Sequence, residues 1–263
     1  MQTFSYEALQ IKGRSSKKTN DTLVVEAALQ ININNEPYTV VMRTPDDDEE
    51  LIRGLLYAED IYKSAEKLTL EIIETAENGF CIINADIPKK KLGKGYLNKR
   101  TLLSVSSCGI CGKQKLEDIK LTGNSLSINN SINTLDLKEL FTIMQQQQVI
   151  FDKTGGSHAA AVFDSEKNLL VIREDIGRHN AVDKVVGTLL NQHKLKEACL
   201  LLVSGRVSYE IISKAFIAKI PVIAAVSACS SLAVDFAKEF GIQLIGFSRD
   251  DDGMIYANPG KNL

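Results

Sequence analysis

The sequence predicts an α/β protein, α+β overall, in which a smaller strand-rich N-terminal domain precedes a three-layer α/β domain. In residues 1–100, short β-branched runs alternate with turn signals, which is typical of hairpins. From about residue 130, continuous apolar strands are each followed by a helix, which indicates a parallel sheet covered on both faces. The predicted boundaries are 1–100 for the N-terminal domain, 101–130 for a cysteine loop and connector, and 131–263 for the α/β domain.

The N-terminal elements follow from two hairpin signals and one helix signal. The segment TLVVEAALQININNEPYTVVMRT holds two β-branched runs separated by a turn at residues 34–37. TPDDDEELIRGLLYAEDI predicts a helix with Thr44 or Asp46 as its N-cap, because acids fill the first turn and leucines form one face. KLTLEIIETAENGFCIINADI predicts a second hairpin that turns at residues 77–79.

The C-terminal elements alternate in type. We expect one helix over NTLDLKELFTIMQQQQVIF, a hairpin over HAAAVFDSEKNLLVIRED and a helix over NAVDKVVGTLLNQH. The apolar strands ACLLLVSG, PVIAAVSA and QLIGFSR then alternate with the helices SYEIISKAFIAK and SSLAVDFAKEFG. This alternation predicts the parallel part of the sheet.

The composition limits the class of function. A chain of 263 residues with 44% hydrophobic residues can bury a substantial core, and a net charge of −2 argues against a nucleic-acid partner. No apolar run approaches the roughly 18 residues of a membrane span, so we expect no membrane partner. The segment 1–18 lacks the apolar core of a signal peptide, which predicts a cytoplasmic protein with free thiols.

Polar and cationic residues follow the predicted strands of the α/β domain. Ligands gather at the carboxyl ends of such strands, and arginines beside helix N-termini suit an anionic, phosphorylated ligand. Each of these residues, taken alone, is equally consistent with an ordinary turn or helix cap. A single histidine at the position of His158 is more typical of a residue that makes a structural hydrogen bond than of a catalyst. The candidates are Asp175, Arg178, His179, Arg206, Ser208, Cys229 and Arg249.

The segment LLSVSSCGICGK carries the distinctive cysteine pair, Cys108 and Cys111. A zinc or cluster site needs about four ligands, so within one chain it would need completion by the distant His158 or His179. A redox pair is normally found where a helix begins after a strand, and glycines follow both cysteines here. These features favour a loop of nucleophilic thiols able to hold a persulfide, with the basic segment 88–100 and nearby lysines favouring the thiolate. A metal site shared between two subunits stays open.

Several motifs, read in order, resemble the formate dehydrogenase accessory sulfurtransferase family, FdhD. They are TPDDDEELIRGLLYAEDI, SSCGICGK, TGGSHAAAVF, REDIGRHNAVDKVVG, SGRVSYEIISKA and LIGFSRDDDGMIYA. The resemblance implies a sulfur carrier that receives sulfur from a cysteine desulfurase. It also implies transfer of that sulfur to the molybdenum cofactor, bis(molybdopterin guanine dinucleotide), before insertion into the formate dehydrogenase catalytic subunit.

The resemblance also implies site residues, a fold likeness and an assembly. Cys108 corresponds to the persulfide-bearing residue and Cys111 to its partner, and the cofactor-binding stretch is Phe247, Ser248, Arg249, Asp250, Asp251 and Asp252. The cofactor is expected as cargo, with no permanently bound cofactor and no metal. The implied fold is similar to cytidine deaminases and the implied assembly is a homodimer. Ala160 stands where a deaminase would need its glutamate, which argues against deamination. The alternative function is a non-catalytic chaperone that binds the cofactor and the apo-enzyme.

Overall fold

A small sheet and a separate hairpin make up the first third of the chain. The structure is a computed structural model that describes residues 1–97, 124–126, 134–249 and 252–259. The first elements in chain order are β1 (Thr3–Lys12), β2 (Ser15–Val24), β3 (Ala27–Ile33), β4 (Glu36–Arg43), α1 (Asp48–Ala58), β5 (Thr69–Thr75) and β6 (Cys81–Asp86). β1 pairs with β2, and the other four strands form a sheet in the order β4-β3-β6-β5. Both predicted hairpins are confirmed, as β3–β4 and β5–β6.

Two features of this region differ from the sequence predictions. The β1–β2 hairpin was not expected, because most of its side chains are exposed and leave no burial pattern to read. The predicted caps of α1 are wrong: Asp47 is the N-cap, in a left-handed conformation. The Thr44 hydroxyl instead accepts a hydrogen bond from the Ile176 N–H at 3.0 Å, because it lies against the second half of the chain.

A larger sheet forms the second half of the chain. Its elements are α2 (Thr134–Gln146), α3 (Val149–Thr154), β7 (His158–Phe163), β8 (Leu169–Asp175), α4 (Arg178–Asn191), β9 (Leu200–Val203), α5 (Tyr209–Ala218), β10 (Val222–Ala225), α6 (Ser231–Phe240), β11 (Gln243–Arg249) and β12 (Asp252–Ala257). The strand order is β12-β11-β10-β9-β7-β8. β9, β10 and β11 are parallel, as predicted, whereas β7, β8 and β12 pair antiparallel, so the sheet is mixed.

The expected single helix before β7 is two helices, α2 and α3. The break at Gln147 and Gln148 coincides with a cap supplied from another element. The Glu174 carboxylate of β8 accepts the backbone N–H groups of Ile150 and Phe151, both at 2.8 Å. A carboxylate placed on the first N–H groups of a helix stabilises a new N-terminus, so α3 starts where Glu174 meets it.

Helices cover both faces of the large sheet. Side chains of α4, α5 and α6 pack with Val162, Leu201 and Ile223 on one face. Leu137, Leu140 and Met144 of α2 pack on the other face. The predicted three layers are therefore present, while the domain boundaries at 100 and 130 stay predictions. In the part of the chain that the structure describes, no helix is long and apolar enough to cross a membrane.

A close crossing of α1 and α4 joins the two halves. A Cβ atom at Gly54 would overlap the carbonyl oxygen of Asp183, and one at Gly187 would overlap the carbonyl oxygen of Glu50. Each helix thus uses a glycine where the other backbone approaches, so neither position has room for a side chain.

We expect Gly54→Ala to lower the free energy of unfolding by about 3 kcal/mol, because the overlapping atoms belong to backbone that cannot move aside. Gly155→Ala is the control, since Gly155 has a φ of +64° but open space around it. That control should lose only about 1 kcal/mol, the cost of a left-handed alanine. Urea unfolding of both variants measures the difference, and equal losses would contradict the tight crossing.

Candidate functional site

Asp175, the last residue of β8, is fully buried and fully hydrogen-bonded. One carboxylate oxygen accepts from the Gly177 N–H at 2.8 Å and from the Asn180 amide at 2.9 Å. The other accepts from the Thr44 N–H at 3.1 Å and pairs with the Lys184 ammonium at 2.9 Å. Burial raises the pKa of Asp175 above its usual range, and the Lys184 ammonium, the Gly177 N–H and the Asn180 amide oppose this shift. Because these donors hold the carboxylate in one place, it fixes the turn between β8 and α4.

The first turn of α4 is also tied to the start of α5. His179 Nε2 lies 3.1 Å from the hydroxyl of Ser208 and 3.5 Å from a carboxylate oxygen of Glu210. One turn further along each helix, Lys214 pairs with Asp183 at 2.8 Å in a buried ion pair. These contacts hold the loop after β9 next to the turn after β8, so residues from two strand ends share one region.

Arg178, His158 and Gly205 come together at this edge of the sheet. A Cβ atom at Gly205 would lie 3.2 Å from His158 Nδ1 and 3.4 Å from Cβ of Arg178, so the glycine permits their close packing. Burial lowers the pKa of His158 below its ordinary value, and the positive charges of Arg178 and Arg206 lower it further against the opposing charge of Asp175. The edge therefore presents a neutral imidazole beside two guanidinium groups.

Arg178 is the best-placed cation for a ligand. Burial lowers its pKa from the usual range, the neighbouring charge of Arg206 acts in the same direction, and the carboxylate of Glu210 opposes both. Arginine nevertheless stays charged at neutral pH. Among the described residues, Arg178 Nε is buried without a hydrogen-bond partner. A guanidinium that is partly desolvated, repelled by a second cation and short of an acceptor is suited to a phosphate or similar anion.

The predicted cofactor stretch lies at the end of β11. Phe247 has a φ of 52°, an uncommon conformation for a non-glycine residue, and its ring is exposed. Its N–H donates to the Ser227 carbonyl at 3.1 Å. Ser248 is buried, and within the described ranges its hydroxyl has no hydrogen-bond partner. Arg249 donates to the Val226 carbonyl at 3.2 Å and faces solvent.

Backbone bonds connect the loops along this edge. The Val207 N–H donates to the Ala228 carbonyl at 3.0 Å, which joins the loops after β9 and β10. The bond from Phe247 to Ser227 joins the loop after β10 to β11. The sheet thus brings together the predicted candidates that follow β8, β9, β10 and β11, as expected for carboxyl ends of neighbouring strands.

The remaining predicted site residues are placed as follows. Asp252 begins β12, is exposed and pairs in register with Arg249. Cys108, Cys111, Asp250 and Asp251 lie outside the described residues. Sequence reasoning did not identify Thr44, Lys184 and Gly205 as parts of the site. For Lys184, the sequence did contain a signal: a lysine within the apolar helix segment NAVDKVVG indicates a buried charge that needs a partner.

Two thiols of the described chain are poorly suited to sulfur chemistry. Cys229 follows β10 beside the candidate edge, but burial raises its pKa to about 12. Burial also raises the pKa of Cys199, with a further contribution from Asp164. Both thiols are protonated at neutral pH and are weak nucleophiles, because the thiolate is the reactive form. Both thiols are half-buried.

The fold and the edge define an α/β protein with a candidate anion-binding site. Comparison with known proteins gives the family: the chain belongs to the FdhD/NarQ family, whose model matches residues 24–262. It is 40% identical over 250 residues to the sulfur carrier protein FdhD of Mycolicibacterium paratuberculosis, covering 92% of each chain. It is 36% identical over 262 residues to the protein of the same name from Sulfolobus acidocaldarius, covering 99% of each.

A solved structure has the same fold. A formate dehydrogenase accessory protein from Desulfotalea psychrophila superimposes with a TM-score of 0.75 at 21% identity, covering 99% of each chain. At this level of identity the likeness concerns the fold alone.

We expect His158 to titrate below pH 6.5, its ordinary value. Because its folded-state pKa is depressed, its contribution to stability is present above the unfolded pKa and is lost as the pH falls through the window below it. Arg178→Ala should raise the pKa of His158, since one repelling charge is removed, and Arg14→Ala in the exposed β1–β2 turn should leave it unchanged. NMR titration of the imidazole ring protons measures the pKa of His158 in the unaltered chain and in both variants. An unchanged pKa in Arg178→Ala would contradict the proposed electrostatics.

Proposed function

We propose that this chain is a sulfur carrier that serves formate dehydrogenase. It takes sulfur from a cysteine desulfurase as a persulfide on Cys108 and passes it to the molybdenum cofactor before insertion into the formate dehydrogenase catalytic subunit. Family membership and the names of the relatives support the sulfur-carrier part. The cysteine pair in SSCGICGK supports a covalent role, because thiols flanked by glycines and lysines can be both accessible and ionised.

The chemistry of loading and release balances with these two thiols. The Cys108 thiolate attacks the terminal sulfur of the donor persulfide, the donor S–S bond breaks, and the donor leaves as a thiolate. Cys111 can then attack the inner sulfur of the Cys108 persulfide. This step forms a Cys108–Cys111 disulfide and releases the outer sulfur as hydrosulfide, so the two electrons of the sulfide come from the thiol pair.

The single structural observation that carries the cofactor part is the cationic edge around Arg178. A guanine dinucleotide contains a diphosphate, which matches guanidinium groups that converge beside helix N-termini. Arg206 and Arg249 extend the positive charge along the strand ends. Asp252 offers an exposed carboxylate of the kind that accepts hydrogen bonds from the N1–H and N2–H groups of guanine.

Several finer points stay predictions of the sequence. They are the likeness of the α/β domain to cytidine deaminases, the homodimer and the cytoplasmic location. A metal or cluster site shared between two subunits is a rival to the sulfur-carrier role of the cysteine pair. The alternative function, a chaperone without covalent chemistry, is supported by one observation: the positive charge around Arg178 comes from guanidinium groups and needs no thiol.

Replacement of single cysteines separates the carrier from the chaperone. We expect Cys108→Ala to lose sulfur incorporation and support of formate dehydrogenase activity, because the nucleophile is gone. Cys111→Ala should still load sulfur but release it poorly. Cys229→Ala is the matched control and should behave like the unaltered chain, since its thiol is protonated. Intact-protein mass spectrometry after incubation with a cysteine desulfurase and cysteine detects the gain of one sulfur atom. Full formate dehydrogenase maturation by a Cys108→Ala/Cys111→Ala double variant would instead establish the chaperone.

A further inference from the structure

An apolar cleft lies between the N-terminal hairpin and the small sheet. It has a volume of about 1050 Å³ and includes none of the residues proposed above for sulfur or cofactor binding. One wall carries Phe4, Tyr6 and Leu23, which share a face of the β1–β2 hairpin because Phe4 and Leu23 pair in register. The opposite wall carries Leu70 and Ile72 of β5, which lie two residues apart and so share a face.

The apolar side chains of this cleft are exposed to an unusual degree. Phe4, Tyr6, Leu23 and Ile72 are 50%, 54%, 43% and 67% exposed. Elsewhere on the same sheet face, α1 packs against β3 and β6 and buries residues such as Leu29 and Ile83. The cleft is therefore the end of that face that α1 does not cover. A contiguous apolar surface of this kind is typical of an interaction site rather than of scattered surface residues.

The cleft has a strongly acidic lining. Its carboxylates are Glu26, Asp46, Asp48, Glu49 and Glu77. Two cationic groups line it among the described residues. The N-terminal ammonium of Met1 lies 3.6 Å from Asp46 in an exposed pair, and the guanidinium of Arg43 is bound to Asp48 at 2.8 Å and to two backbone carbonyls. Lys67 pairs with Glu49 at 3.3 Å from outside the lining, in an exposed ion pair that contributes little. An occupant with apolar groups and positive flanks would complement this surface.

The cleft is bordered by strand edges. β5 is the last strand in the order β4-β3-β6-β5, and β1 and β2 pair only with each other in the described part of the chain. An edge strand offers backbone N–H and C=O groups to an incoming extended segment, and the pockets beside it select alternate side chains.

An anionic lipid surface does not fit the cleft. A membrane surface is flat and negatively charged, whereas the cleft is concave and lined by carboxylates.

We propose that this cleft binds an extended segment of a partner protein, with apolar side chains at alternate positions and lysine or arginine at both flanks. The apolar side chains enter between the hairpin and β5, and the flanking cations lie over the acidic rim. This proposal concerns a surface separate from the sulfur and cofactor chemistry, so each can fail without the other.

The test uses the full chain and a fluorescently labelled synthetic peptide of alternating valine and threonine with two lysines at each end. We expect saturable binding by fluorescence anisotropy, and at least tenfold weaker binding of the same peptide with glutamates in place of the lysines. Ile72→Ser and Phe4→Ser/Tyr6→Ser should each weaken binding of the lysine-flanked peptide about tenfold. Ile73→Ser is the matched control, since Ile73 is the next residue of β5, is exposed and does not line the cleft.

Glu26→Gln/Glu77→Gln should reduce the preference for lysine flanks, because both carboxylates line the rim and are exposed. Every substituted side chain is exposed, and circular dichroism checks that each variant is folded. Three results would overturn the proposal: no saturable binding, equal binding of both peptides, or equal effects of Ile72→Ser and Ile73→Ser. Concentration-dependent dimerisation of the unaltered chain that Ile72→Ser abolishes would assign the cleft to a second copy and would also overturn it.

Discussion

The buried ion pair between Asp175 and Lys184 determines how the two halves of the chain meet. Asp175 belongs to the large sheet, Lys184 to the helix that follows, and both bond to the backbone of Thr44 at the end of the small sheet. Neither charge reaches water, so removing one partner would leave the other uncompensated at a cost of about 3–5 kcal/mol. The close crossing of α1 and α4 lies in the same region, because Gly54 of α1 packs against the backbone of Asp183, the residue before Lys184.

The candidate site depends on that corner. Asp175 also holds the Gly177 N–H and the Asn180 amide, which sets where α4 begins and therefore where Arg178 lies. The Arg178 guanidinium is partly desolvated and lies near the like charge of Arg206, and the carboxylate of Glu210 offsets part of that repulsion. A bound anion would relieve this repulsion, which is how a preorganised site obtains affinity for phosphate. The buried carboxylate of Asp175 thus determines the position of Arg178 at the start of α4.

The sequence predicted what periodicity and turn chemistry determine locally. The strand QLIGFSR, the two N-terminal hairpins and the parallel pairing of β9, β10 and β11 follow from apolar runs and Asn or Gly turns. The hairpin β1–β2 was missed because its side chains are largely exposed, so burial leaves no pattern in it. Strand β12 was also missed, and the first half of it is exposed. The break between α2 and α3 and the role of Thr44 were missed because each depends on a distant residue, Glu174 or Asp175. The grouping of candidate residues at the strand ends was predicted from the parallel sheet, whereas the hydrogen bonds that fix them required the fold.

Isothermal titration of the full chain with guanosine diphosphate tests most directly whether the cationic edge binds the guanosine phosphates of the cofactor. We expect saturable binding that Arg178→Ala weakens about tenfold or more, since a charge-assisted hydrogen bond is worth about 1.5–3 kcal/mol. Arg14→Ala, at the exposed turn between β1 and β2, should bind like the unaltered chain. Absence of binding, or equal affinity in Arg178→Ala and Arg14→Ala, would contradict binding of guanosine phosphates at the cationic edge.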